Sequence, residues 1–346
     1  MKIAINSLPL KSGHKYRGIG FYTKYLLDGL KKKNLDIQEF SDISEVKDAD
    51  IVHYPFFDFF KKTLPIKKKF PTVVTIHDVT PLLFPKHYPP GVKGSIYNMF
   101  QRLALRDVRA IITDSKSSKG DIEKILNIKP SKIFPVYLAP APHFRNIKNE
   151  NLLDKVRNEY RLPQTFALYT GSVNWNKNIL NLTKATLDSG IELVLAGKDF
   201  EEKSYLNHPE RKSYAEFLNS FSADPKIHIL GFIPDEDLVA CMNLAKIILL
   251  PSYYEGFGLP ILEAQACNIP VICGNVSSMP EVAGDGAVLI NPSNCTEINQ
   301  AIVKILNDKI FRNNLVKNGT LNVKRFSWEK CAEDTIKVYE YALQCR

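Results

Sequence analysis

The sequence predicts an α/β protein built as two doubly wound domains that face one another across a cleft, and three observations carry that expectation. The chain has 346 residues, more than one ordinary core accommodates. Short β-branched runs alternate with helical patterns throughout, which is the pattern of parallel sheets covered by helices on both faces. The alternation also falls into two series, separated by Leu138-Ala139-Pro140-Ala141-Pro142 and the polar stretch His143–Lys155, which reads as a hinge.

In the first series strands are expected at Lys2–Asn6, Ile51–Tyr54, Val73–Ile76, Ala110–Thr113 and Ile133–Tyr137, with helices near Ile19–Lys33, Lys93–Arg109 and Ser115–Leu126. In the second, strands are expected near Phe166–Thr170, Glu192–Ala196, Ile227–Leu230, Ile247–Leu250, Val271–Cys273 and Ala287–Ile290, with helices between most of them. The expected domains are residues 1–145, rejoined by a terminal helix over 329–346, and residues 146–328. In doubly wound sheets ligands bind at the carboxyl ends of the strands, so chemistry-bearing residues are sought in the loops that follow strands.

Composition narrows the class. With 45% apolar and 24% charged residues the chain reads as an ordinary soluble protein, and no window holds eighteen uninterrupted apolar residues, so no membrane span is expected. Met1-Lys2-Ile3-Ala4-Ile5 breaks at Asn6 and Ser7, too short an apolar run for a signal peptide, and a cytoplasmic location is expected. The cysteines Cys241, Cys267, Cys273, Cys295, Cys331 and Cys345 show no Cys-x-x-Cys spacing and read as reduced packing residues. Residues 1–150 carry 26 Lys+Arg against 14 Asp+Glu, a balance of +12, and the remainder carry 20 against 23, a balance of −3. The runs Lys31–Lys33, Lys61-Lys62 and Lys67–Lys69 suit anionic lipid head groups or an anionic sugar acceptor, or are simply a solvated surface. The aromatic interleaving and motifs of nucleic-acid binders are missing, so no nucleic-acid partner is expected.

Five loops hold the candidate site residues. Gly18-Ile19-Gly20 follows the first strand and opens a helix, where glycine lets backbone approach a phosphate closely or simply makes a tight turn. A dinucleotide fingerprint needs a third glycine where Thr23 stands, and no Gly-Lys-Ser/Thr loop occurs, so neither nicotinamide nor nucleoside triphosphate hydrolysis is supported. His77-Asp78 follows a strand, with Asp78 equally able to cap the next turn. Tyr169-Thr170-Gly171-Ser172 leads through Lys177 into a helix, and Lys177 is the charge to aim at a diphosphate. Gly231-Phe232-Ile233-Pro234 could hold a flat base by backbone and aromatic contacts.

The most informative segment is residues 251–264, Pro-Ser-Tyr-Tyr-Glu-Gly-Phe-Gly-Leu-Pro-Ile-Leu-Glu-Ala. Ile247–Leu250 reads as a buried strand, Gly256 and Gly258 allow a sharp turn, and Pro260 suits the first helical position. The helix start offers unpaired N–H groups and the positive dipole end to a phosphate. Glu255 lies just before that seat and Glu263 one turn inside the helix, placed to accept hydrogen bonds from paired sugar hydroxyls.

Together, Glu255 to Glu263, Gly171…Lys177-Asn178 and Gly231-Phe232-Ile233-Pro234 resemble the retaining nucleotide-sugar glycosyltransferases of family 4, whose GT-B architecture consists of two Rossmann-like domains. Gly18-Ile19-Gly20, His77-Asp78, Thr113-Asp114-Ser115, Met279-Pro280-Glu281-Val282 and Phe326-Ser327-Trp328 extend the resemblance over nearly the whole chain. It implies that Glu255 stands beside the donor sugar, that Glu263 holds the ribose hydroxyls, and that Phe257, Gly258 and Leu259 present amides to the sugar and diphosphate. It further implies that Lys177 neutralises the leaving phosphates, that Gly18 approaches them from the other domain, and that His77 contacts the donor sugar and steadies positive charge near the anomeric carbon. Trp328 would mark the last helix crossing back to the first domain.

Many relatives carry an arginine where this chain has Ser172 or Asn176, so diphosphate neutralisation falls to Lys177 with helix amides, to a side chain such as Arg17, or is weaker. Retention is implied by the family, as is a same-face reaction needing neither metal nor further cofactor. His77-Asp78-Val79-Thr80-Pro81 resembles the mannosyltransferases of the family and favours GDP-mannose as donor. The basic first half suits a glycan or lipid-linked acceptor in surface polysaccharide synthesis, with peripheral contact at an anionic membrane face. A sugar-nucleotide epimerase of the same architecture and a non-catalytic sugar-nucleotide-binding module are the alternatives.

Overall fold

The computed structural model describes residues 1–11, 13, 18–202, 204 and 206–344. They form two compact units: Met1–Ala139 together with the segment from Phe326 onward, and Pro140–Arg325.

The first unit is a six-stranded sheet of β1 (Lys2–Asn6), β2 (Asp36–Phe40), β3 (Ile51–Tyr54), β4 (Thr72–Thr75), β5 (Ala110–Thr113) and β6 (Ile133–Pro135), ordered β2-β1-β3-β4-β5-β6 and parallel throughout. β3, β4 and β5 are buried along their whole length, as expected of β-branched runs covered on both faces. β2 is an edge strand that the sequence pattern does not reveal. Its Asp36-Ile37-Gln38-Glu39-Phe40 is largely polar because only Phe40 is buried there.

The second unit repeats the plan with β7 (Phe166–Thr170), β8 (Glu192–Ala196), β9 (Ile227–Gly231), β10 (Ile247–Leu250), β11 (Val271–Gly274) and β12 (Val288–Ile290), ordered β12-β11-β10-β7-β8-β9 and all parallel. Strand order reverses between β7 and β10, which makes the crevice between the loops after these two strands the topological switch point of this unit.

The units divide after Ala139 and after Arg325, earlier than the expected 145/146 and 328/329. Asn243 accounts for the first difference: its Oδ1 accepts from the Ile147 amide at 2.8 Å and its Nδ2 donates to the Arg145 carbonyl at 3.0 Å, tying this segment to the second unit. The terminal helix Trp328–Gln344 packs on the helix Gly18–Lys31, where a Cβ on Gly29 would lie 3.0 Å from Ala332 Cβ. The Trp328 ring stacks on Tyr25 at 5.1 Å, and Lys33 reaches Glu329 and Glu333 at 3.1 and 2.7 Å. Phe326, at the crossing itself, sits 5.7 Å from the Tyr137 ring. Cys241, Cys267, Cys273 and Cys331 are buried free thiols, while Cys345 lies outside the described residues.

Candidate active site

In the second unit, the loops after β7 and β10 are stitched into one body. Asn178 adopts the left-handed conformation (φ 57°) that Asn tolerates better than most side chains, and starts the helix Ile179–Asp188. Its Nδ2 donates to the carbonyls of Pro251 and Pro292 at 2.9 and 2.6 Å. Asn176 Nδ2 donates to the Tyr254 carbonyl and the Tyr253 amide donates to the Asn176 carbonyl, both at 2.8 Å, while Trp175 stacks on Tyr253 at 5.1 Å. The residue at 176 is therefore a buried staple between the loops.

This stitching brings Lys177 to Glu255. Lys177 Nζ lies 2.7 Å from both carboxylate oxygens, and Ser252 Oγ donates to Oε1 at 2.6 Å. Glu255 is only 8% exposed, and these donors satisfy its buried oxygens. Its backbone is held as firmly: the amide donates to Ser277 Oγ at 3.0 Å, and Ser278 Oγ lies 2.9 and 2.8 Å from the carbonyl oxygens of Glu255 and Phe257. An ammonium carries three N–H groups, and the pair uses two, leaving one for an anionic ligand.

The chain then turns through Gly258 (φ 102°), a conformation that disfavours any side chain, into the helix Leu259–Ala266. Leu259 is its first residue and Pro260 its second, one place later than the sequence suggests. Pro260 remains compatible because the first turn's amides have no intrahelical acceptor. Gly258 and Leu259 donate to no protein acceptor among the described residues, so these amides are available to an anion.

Glu263, one turn further, is half-buried and its carboxyl makes no hydrogen bond or ion pair among the described residues. Burial, with Asp235 adding like charge, pushes its pKa up to about 8. Asp235 opens the helix that follows Gly231-Phe232-Ile233-Pro234, so that segment and Glu263 are electrostatic neighbours. The Phe232 amide donates to Glu201 Oε1 at 2.8 Å and its ring is 50% exposed, while Ile233 is buried.

Gly171, Gly197 and Gly231 end β7, β8 and β9 in backbone contact. A Cβ on Gly197 would come within 2.2 Å of the Gly171 carbonyl oxygen, so the loops can approach this closely only without side chains. The Ser172 carbonyl accepts from Tyr169 Oη at 2.5 Å, a structural contact rather than a charge for phosphate.

In the first unit, His77 follows β4 and Asp114 follows the adjacent β5. His77 Nδ1 lies 2.8 and 3.1 Å from the two Asp114 oxygens, and Tyr22 meets the imidazole edge-on at 4.9 Å. Burial alone would depress the histidine, but the charge and hydrogen bond of Asp114, with Asp78 behind them, hold it above its ordinary value. Burial raises the Asp114 carboxyl in turn, so the pair keeps its proton to higher pH than a free histidine would. The Pro55 carbonyl lies close enough to favour the charged ring, yet nothing meets hydrogen-bond geometry at Nε2, which is buried and unpartnered. Asp78 closes the turn ahead of the next helix, whose N-cap is Val79: its Oδ1 accepts from the Thr80 amide at 2.8 Å. Gly18 opens its helix exposed and with open space where a Cβ would stand, while Arg17 lies outside the described residues.

Comparison with known proteins places these features. Residues 153–322 match the family model described as glycosyl transferases group 1, and residues 16–139 match that of glycosyltransferase family 4. The O-antigen chain mannosyltransferase B of Escherichia coli is 32% identical over 277 residues, covering 78% of this chain and 70% of its own. The chain belongs to glycosyltransferase family 4. This glycosyltransferase is also 28% identical to the serotype-specific mannosyltransferase WbdA of Escherichia coli, over 79% of its own length and 34% of that longer protein. Its fold is shared with the Anabaena protein HepE, solved in complex with UDP-glucose, at a TM-score of 0.76 and 14% identity over 97% of this chain and 98% of that one.

Of the residues singled out from the glycosyltransferase's sequence, Lys177 and Glu255 meet directly, Gly258 and Leu259 lie beside them, and Glu263 follows on the same helix. Ser252, Ser277 and Ser278, which hold Glu255, carry no sequence signal beyond their small polar character. Glu201 is recognisable only through its contact with Phe232. Asp114 stands in a quoted motif, but its partnership with His77 depends on β4 and β5 being neighbours. Arg211 was also not singled out: its turn packs against the Trp175–Lys177 turn and its Nη2 pairs with Asp199 at 3.3 Å.

Proposed function

We propose that this glycosyltransferase moves mannose from GDP-mannose to a glycan or lipid-linked acceptor in polysaccharide synthesis, with retention of anomeric configuration and without a metal ion. The reading is carried by the Lys177–Glu255 pair at the β7/β10 switch point beside the unpaired amides of the Leu259 helix. That arrangement offers an ammonium N–H and a helix dipole to a diphosphate, and a fixed carboxylate to the sugar joined to it. Mannose is supported by the names of two relatives, O-antigen chain mannosyltransferase B and WbdA.

In this reading the amides of Gly258 and Leu259 and the third Lys177 proton take the diphosphate, and Glu263 accepts hydrogen bonds from the ribose hydroxyls. Because the diphosphate is already a good leaving group, catalysis consists mainly of positioning and of stabilising the departing charge. The bond from the anomeric carbon to phosphate oxygen breaks, and the acceptor oxygen bonds the anomeric carbon on the same face. The acceptor's proton passes to the departing phosphate. Glu255, held by Lys177 and Ser252, stabilises the oxocarbenium-like state, and His77 takes its family role at the donor sugar. The enzyme works in the cytoplasm with its basic first unit in peripheral contact with an anionic membrane face. No helix of the described residues is long and apolar enough to cross one.

The test is a thermal-shift panel of GDP, UDP and ADP followed by turnover assays. GDP at a hundred times its Kd stabilises by about 2.7 kcal/mol, and the other bases do so less. GDP-mannose releases GDP only when acceptor is present, EDTA leaves the rate unchanged, and NMR of the product shows the donor's anomeric configuration. A base other than guanine giving the largest shift would discard GDP-mannose. Release of nucleoside diphosphate without acceptor would discard transfer.

A further inference from the structure

The basic runs visible in the sequence are largely engaged within the protein. Lys31 pairs with Glu39, Lys33 with Glu329 and Glu333, and Lys61 with Asp58. Lys68 donates to the carbonyls of Pro65, Ile66 and Ala104, and Lys69 to that of Val46. The unexpected surface lies instead on the helix Gly91–Leu105. Val92, Ile96, Met99 and Phe100 are 83, 49, 55 and 42% exposed on it.

At 100° per residue these four and the half-buried Leu103 fall within an arc of roughly 100°. Opposite them, Gly94, Gln101, Ala104 and Leu105 form the buried face, with Gln101 Nε2 donating to Thr63 Oγ1 at 2.6 Å and to the Asp58 carbonyl at 3.2 Å. The outward stripe is thus the reverse of an ordinary surface helix, which hides its apolar side. Exposed Lys93 borders it on one edge and exposed Arg102 and Arg106 on the other. From Val79 to Arg106 the sequence holds no Asp or Glu, and the first acid beyond is Asp107, just past the helix end. A contiguous apolar stripe on a monomer marks an interaction surface. Flanks that are cationic on both edges, with no acid along the helix, match an anionic lipid surface, where Lys93 and Arg106 meet head groups while the stripe enters the acyl boundary; Arg102 is engaged by Asn98 Oδ1 and the Ile125 carbonyl.

We infer that the helix Gly91–Leu105 is the membrane seat of this enzyme, lying in the plane of an anionic bilayer surface with Val92, Ile96, Met99 and Phe100 inserted. The inference rests on the peripheral membrane contact proposed above and names the surface that makes it. A second copy of the chain is the competing occupant, disfavoured because two such helices would bring like-charged flanks together.

Co-sedimentation of the full chain with vesicles tests it, using phosphatidylcholine alone and phosphatidylcholine mixed with phosphatidylglycerol. The wild-type protein partitions at least tenfold more strongly onto the phosphatidylglycerol vesicles, and less as salt rises. A variant carrying Val92→Ser, Ile96→Ser, Met99→Ser and Phe100→Ser loses about tenfold in partition while keeping its thermal midpoint and its rate on a water-soluble acceptor. Lys93→Glu with Arg106→Glu lowers binding to the charged vesicles only, whereas Lys62→Gln with Lys67→Gln changes little. Wild-type partition by the serine variant, with loss in the Lys62/Lys67 variant, would overturn the helix assignment and leave membrane contact standing through the lysines. Failure of the wild-type protein to partition at all would overturn both. A concentration-dependent dimer seen by sedimentation velocity and abolished by the serine variant would overturn the proposal in favour of a second copy.

Discussion

The pair Lys177–Glu255 in the second unit and the pair His77–Asp114 in the first are built alike, each from loops following two adjacent parallel strands, yet they are electrostatically different. Glu255 receives two hydrogen bonds from Lys177 and a third from Ser252. His77 can lose its charge, and its Nε2 is buried without a partner. The first pair is a fixed electrostatic frame suited to placing a carboxylate. The second is adjustable: Asp114 accepts from Nδ1 and favours the charged ring, with the pair's net charge set by pH.

The most severe way to break the comparison is Glu255→Ala, which removes the carboxylate and strands Lys177. Turnover is expected to fall by about 10³-fold or more while far-UV circular dichroism is unchanged; retention of a tenth of the wild-type rate would remove Glu255 from the chemistry. Asp114→Asn sharpens the contrast by removing what sets the His77 tautomer, and should reduce kcat by about 10²-fold. It also lowers the histidine's pKa, so the acid limb of the pH–rate profile moves to lower pH; an unmoved limb would show that His77 does not titrate in the active range.

Glu263 provides an effect of about tenfold. Its free carboxyl titrates near 8, and ribose hydroxyls bind best to the ionised form, so nucleoside diphosphate affinity should rise between pH 6.5 and 9 with release of a proton. Glu263→Gln should flatten that rise, which calorimetry in buffers of different ionisation enthalpy measures directly. The same shift makes a stability statement: a carboxyl raised above its unfolded value loses stability as pH climbs from about 4.3 toward 8, so Glu263→Gln should raise the thermal midpoint more at pH 8.5 than at pH 6.

The smallest expected effect concerns the network behind His77. His53 is fully buried between Tyr339 Oη at 2.7 Å and Thr75 Oγ1 at 2.8 Å, and Thr75 in turn meets Tyr22 Oη at 2.9 Å. Burial, with His77 nearby, depresses His53 to about 3, so the neutral ring's contribution is complete above about pH 6.5 and is lost as pH falls toward 3. Tyr339→Phe should cost about 1–2 kcal/mol, a shift of a few degrees in the thermal midpoint, and move kcat little. A large kcat change at unchanged midpoint would instead make the terminal helix part of the catalytic device.

Much of the fold was legible because local pattern determines it. The β-branched runs at Ile51–Tyr54, Ala110–Thr113 and Ile247–Leu250 are strands because each is short and apolar, and covered sheets require that. Ser115 caps its helix as a small hydroxyl should, accepting from the Ser118 amide at 2.9 Å. β2 was illegible for the converse reason, since an edge strand needs little apolar surface. Among site residues, Glu255, Lys177 and Glu263 could be selected because they stand in strand-to-helix loops, whereas the loop-stitching bonds of Asn176 and the Ser172 carbonyl depend on partners the sequence does not place beside them.

Sequence by itself determined most of the strands and helices, though not the polar edge strand β2, as well as the presence of two sheets and which loops carry charge, because periodicity and turn residues act within a few positions of the chain. Only the tertiary structure decided who meets whom. Lys177 finds Glu255 because β10 inserts beside β7, and His53 finds Tyr339 because the terminal helix returns to the first unit, separations of 78 and 286 residues. The inverted face of the Gly91–Leu105 helix belongs to the same class of fact: apolar residues at helical spacing read as core until the packing shows which side is covered.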